Sequence, residues 1–146
     1  MKTSSIILTL ILALTLFASC SQPAQKPEGM QPVSPADTMA KPSYTDLTPQ
    51  EAKKLIDDNP GMIVIVDVSP YYTNGHLPGA VHLQLGKILD MAIPTLDNSK
   101  KYLVYCHGDA PSIAGAQKLV DAGFKMVYRL KGNYGAWVEA GYPVEK

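Results

Sequence analysis

"YLVYCHGDAPSIAG", residues 102–115, decides the fold: a mostly apolar run ends in a cysteine, turn residues follow, and a helical pattern begins. From about Pro111 to Ala122 the apolar spacing is helical, and Gly123 stands where a helix is closed by a left-handed residue. The strand thus runs over 101–106, with Cys106 at its carboxyl end. In a parallel α/β sheet, sites form at that edge, where strands hand over to helices.

Outward from this unit the same alternation repeats. "LTPQEAKKLIDDNPG" reads as a helix with Thr48 as N-cap, Pro49 in the first position and Glu51 completing a capping box. Asn59-Pro60-Gly61 stops it. "MIVIVDV", 62–68, is apolar without alternation, as a strand buried on both faces is. Turn residues fill "SPYYTNGHLPGA"; "AVHLQL" gives a second short strand and "GKILDMAI" a short helix. "KMVYRL" is the fourth strand, and "NYGAWVEAGYPV" a last helix and tail. Strands alternating with helices predict an α/β domain, mainly parallel, with helices on both faces.

The N-terminus reads as targeting. Met1-Lys2 is a short positive start, and residues 6–18 are apolar except for Thr9 and Thr15. That stretch is short for a membrane span and right for a signal-peptide core. It ends in "FASC", 17–20, which resembles the bacterial lipoprotein box with Phe17 in place of leucine. The resemblance implies a signal peptide over 1–19 and a lipidated Cys20. Export to the bacterial cell envelope follows, anchored at the periplasmic face. Ser21 gives no inner-membrane retention signal, which leaves the outer membrane open. Residues 20–43, rich in Pro, Gln, Ser and Ala, form a tether too poor in large apolar groups to fold. The folded domain is then 44–146, and a monomer is expected.

Thirteen basic and thirteen acidic residues balance, and Arg129 is the only arginine. No basic cluster points to nucleic acid. His82 has no metal-ligand partner at a recognisable spacing, and no metal site is expected. With Cys20 acylated, Cys106 is the one remaining thiol and cannot form an internal disulfide. The turn after it, "HGDAPS", carries backbone N–H groups, and the next helix adds its positive end. Both favour a thiolate, and a cradled thiolate near a partly open loop is a nucleophile or a sulfur carrier.

Residues 45–144 resemble a single rhodanese-like (sulfurtransferase) domain. The match is carried by "IVDV" followed by "GHLPGAVHL", by "YLVYC", and by "AGFKMVYRLKGNYGAWVEAGYPV". Asp67, His76, Gly79 and Trp137 fall on fold-defining positions. The resemblance implies a three-layer rhodanese-like fold. It also implies that Cys106 carries sulfane sulfur as a persulfide, with His107, Gly108, Asp109, Ala110 and Ser112 as the substrate-binding loop. A small sulfur donor and a thiol or cyanide-like acceptor are the implied partners, and no cofactor beyond the covalent persulfide is needed. His76 is expected to lock a turn, and Trp137 to pack the core.

Four departures bear on the donor. Pro111 stands where many members have arginine, which also disfavours phosphatase chemistry. Asp109 stands where many have glycine, and Ser69 where arginine is common. The segment after Asp67 is about two residues shorter than is usual in the family. Arg129 and Lys131, at the end of the fourth predicted strand, are expected to supply rim cations instead. Two other functions compete. A non-catalytic rhodanese-like module that binds sulfur or a protein would not need a thiol in an anion-binding turn. A redox protein would need a C-x-x-C partner, which is absent from the sequence.

Overall fold

The structure, a computed structural model, describes residues 43–146. The expectations for residues 1–42, including the signal segment, Cys20 and the tether, lie outside the described residues. Five strands form one sheet: β1 (Thr45–Leu47), β2 (Ile63–Asp67), β3 (Val81–His82), β4 (Lys101–Tyr105) and β5 (Val127–Leu130). Their order is β1-β5-β4-β2-β3, and every pairing is parallel. The helices are α1 (Pro49–Asp58), α2 (Lys87–Ala92), α3 (Asp109–Asp121) and α4 (Asn133–Glu139).

Strand alternation sorts the side chains into two cores. Val66, Tyr102, Val104 and Val127 pack on one face with Leu89 of α2 and with Ala116, Leu119 and Val120 of α3. Ile65, Leu103, Tyr105 and Leu130 pack on the other with Ala52 of α1 and Trp137 of α4. The result is three layers, with the sheet buried between helix pairs. Thr48 caps α1 as expected: its side chain accepts from the Glu51 N–H while the Glu51 carboxylate accepts from the Thr48 N–H.

Two elements differ from the sequence expectation. The sheet has five strands, because Thr45–Leu47 adds a short, largely exposed edge strand beside β5. Helix α3 starts at Asp109, two residues before Pro111. Proline is harmless in a first turn, where its missing N–H has no partner to lose.

The turn before β3 is locked as expected of His76. Its backbone N–H donates to the Glu145 carbonyl and its own carbonyl accepts from the Glu145 N–H, both at 2.9 Å. Its ring stacks on Tyr72 at 3.8 Å between centroids, and His82 stacks on the same tyrosine at 4.8 Å. The His82 Nε2 lies 2.7 Å from the Ser69 carbonyl, which fixes that nitrogen as the donor. The Trp137 indole N–H donates to the Pro143 carbonyl at 2.9 Å.

Candidate functional site

Cys106 follows directly on β4, the middle strand of the five, at the carboxyl edge of the sheet. It is 2% exposed and packs in the core between the sheet and helices α2 and α3. The thiol is thus buried at the strand end, with only His107 and Gly108 between Cys106 and α3. With no side chain capping α3, its first amides, those of Gly108, Asp109 and Ala110, have no intrahelical partner and form the positive end nearest the cysteine. Pro111 contributes no N–H there.

The backbone of Cys106 is gripped from α4. Its N–H donates to Asn133 Oδ1 at 3.1 Å, and its carbonyl accepts from the Tyr134 N–H at 3.0 Å. His107 stacks on the Tyr134 ring with 4.4 Å between centroids and planes 11° apart, and Tyr71 leans toward it at 5.6 Å. The His107 Nε2 is buried without a hydrogen-bond partner. Ser112 is fully buried in the first turn of α3, its hydroxyl donating to the Asp109 carbonyl at 2.9 Å.

Arg129 corrects an expectation. It is not a rim cation: it is 6% exposed and fully engaged. It donates from Nε and one terminal nitrogen to the two carboxylate oxygens of Asp46 at 2.8 and 2.6 Å, and from the other to Asp109 Oδ1 at 2.8 Å. Its hydrogen bonds to Asp46 hold its pKa above the ordinary arginine value against the opposing effect of burial, and Asp109 adds to this. Asp109 is exposed at the start of α3, yet its Oδ1 also accepts from Asn133 Nδ2 at 2.9 Å. Two carboxylates and one guanidinium therefore meet at the start of α3, a formal charge of minus one. Lys131 remains exposed, one residue past β5. Asp67, aligned with Tyr105 in the sheet, is fully buried and keeps one carboxylate oxygen unpartnered. It faces the other core, with Tyr105, whose hydroxyl is held protonated chiefly by burial and accepts from the Leu77 N–H at 3.0 Å.

The arrangement is a lone buried thiol at the middle of a parallel sheet, under an uncapped helix start. The rhodanese-like domain family matches residues 48–140 of this chain. The chain belongs to the rhodanese-like family. Among its relatives, the thiosulfate sulfurtransferase GlpE of Glaesserella parasuis is 30% identical over 106 residues, covering 70% of this chain and 94% of that one. The GlpE protein of Coxiella burnetii is 33% identical over 94 residues, 64% of this chain and 87% of that one. The rhodanese-like domain of the Anabaena Alr3790 protein superposes with a TM-score of 0.62 at 29% identity, over 73% of this chain and 80% of that one.

As a rhodanese-like domain the chain places Cys106, His107, Gly108, Asp109, Ala110 and Ser112 together between β4 and the first turn of α3. Sequence reasoning missed Asn133 and Asp46. The pairing of Asp46 with Arg129 spans 83 positions and depends on a three-residue strand without a hydrophobic run. Asn133 had a weak signal: an asparagine beside Gly132, in a turn that needs left-handed backbone. Among the described residues no group of three or more His, Cys, Asp or Glu is arranged to hold a metal, and no helix is long and apolar enough to cross a membrane.

Proposed function

We propose that this domain is a sulfurtransferase that carries sulfane sulfur as a persulfide on Cys106 and passes it to a thiol or another nucleophilic acceptor. The supporting observation is the position of Cys106, buried at the sheet's carboxyl edge beside the unpartnered amides of α3, in a chain of this family. In the first step the Cys106 thiolate attacks the outer sulfur of the donor. A new S–S bond forms, the donor's S–S bond breaks, and the donor leaves as its thiolate, or as sulfite from thiosulfate. In the second step the acceptor attacks the terminal sulfur of the persulfide and the Cys106 thiolate is released. No external oxidant or reductant is consumed. Helix-end amides stabilise negative charge on whichever sulfur carries it.

The donor we assign is a low-molecular-weight persulfide or polysulfide rather than thiosulfate. The sole arginine is sequestered between Asp46 and Asp109, and the mouth carries a net negative charge that opposes a dianion. We also propose export and lipid anchoring through Cys20, on the strength of the signal-like N-terminus.

Mass spectrometry of the purified domain after exposure to cysteine persulfide and, separately, to thiosulfate tests this reading. One added sulfur atom on Cys106, removed by a thiol, is the expected result. No added sulfur from either donor would leave a binding module without chemistry.

A further inference from the structure

Among the described residues Asn133 is the one non-glycine residue with a positive φ, +58°. It is 3% exposed at the start of α4. Glycine holds such a φ without steric cost, whereas an L-residue is strained there, asparagine less than most. What asparagine adds over glycine is its carboxamide, and both ends of it are used. Oδ1 accepts from the Cys106 N–H at 3.1 Å, and Nδ2 donates to Asp109 Oδ1 at 2.9 Å. These partners fix the orientation of the amide, because only a donor can face the carboxylate and only an acceptor the N–H. The next residue, Tyr134, completes the grip through its N–H to the Cys106 carbonyl and its ring on His107.

We propose that Asn133 is a positioning residue for sulfur transfer, clamping the Cys106 backbone to the first residue of α3. The clamp spans the whole connection from β4 to α3, since Cys106 and Asp109 are its two ends. Arg129 holds Asp109 from the other side and is itself pinned to Asp46. The Cys106 N–H is thereby spent on Asn133, whereas the amides of Gly108, Asp109 and Ala110 at the uncapped start of α3 have no intrahelical partner. The proposal rests on the sulfurtransferase reading for its kinetic consequence, but the clamp itself can be measured without it.

The test compares Asn133→Gly and Asn133→Asp with the unaltered protein, at a temperature where each is fully folded. Glycine keeps the backbone conformation and removes the carboxamide. Aspartate keeps the shape but sets a second carboxylate against Asp109. The expected result is a fall of roughly 10- to 100-fold in kcat for sulfur transfer from cysteine persulfide to a thiol acceptor, as displacement of a reacting group by about 1 Å can cause. In Asn133→Gly KM should stay within about twofold, because that change adds no charge beside Asp109. Amide exchange at Cys106 should speed up in Asn133→Gly. Retention of kcat in both variants, a loss carried by KM in Asn133→Gly, or unfolding of both would overturn the proposal. An unaltered protein that takes up no sulfur counts against the sulfurtransferase reading alone. In that case the Cys106 exchange rate in Asn133→Gly decides whether the clamp exists.

Discussion

A buried cysteine whose peptide is bonded on both sides cannot drift, and its chemistry depends on what reaches it rather than on its own motion. Cys106→Ser should keep the fold but lower the thermal midpoint by several degrees, since it sets a hydroxyl among the apolar side chains around position 106. It should abolish sulfur loading, as read by mass spectrometry of the intact protein; a serine variant that still gains sulfur would move the site elsewhere. At the mouth, charge decides. Asp109→Asn removes one negative charge while keeping an oxygen for Arg129, so loading from thiosulfate should rise severalfold at low salt. Lys131→Glu should lower it, and both effects should shrink as ionic strength increases, because exposed charges are screened over about 8–10 Å. Salt-independent rates in both variants would remove electrostatics from donor choice. Of these residues, Cys106 and its loop were legible from the strand-turn-helix pattern. The burial of Arg129 was not, because a charged residue near a strand end reads as solvated until its partners from distant segments are known.

Helix ends carry the local signals that read best from sequence, and the α1 cap is the clearest. The Thr48 N–H donates to the Glu51 carboxylate and holds that group below its ordinary value of 4.5. A lowered pKa means that the contribution is present above the ordinary glutamate value and is lost as pH falls below it. Glu51→Gln should therefore destabilise the domain at pH 7 and cost less near pH 3, as measured by urea unfolding at each pH. Where α3 meets the sheet, fit matters more than capping. A Cβ on Gly115 would lie 3.0 Å from a methyl of Val68 and 3.4 Å from one of Val104, both fully buried. Alanine gains up to about 1 kcal/mol of helix propensity over glycine, yet this crowding should outweigh it. Gly115→Ala is expected to destabilise the domain by about 1 kcal/mol net, seen as a lower urea midpoint at unchanged slope. The long apolar runs gave away β2 and β4, which are buried on both faces. No such run marks β1, whose three residues are placed by their partners on β5 rather than by their own pattern.

For the whole molecule, the proposed anchoring through Cys20 should be separable from folding. Cys20→Ala should release the protein from the membrane fraction without changing the unfolding midpoint of residues 43–146, and fatty-acid labelling should be lost with it. Continued membrane association would assign the attachment to another part of the chain. The sheet's own connectivity has a consequence in time. Leu47 pairs with Leu130, so the first strand of the domain finds its neighbour only in the last. During synthesis β1 has no strand to pair with until the chain as far as residue 130 has been made. Closing so long a loop comes late and slowly, as it does for parallel sheets in general.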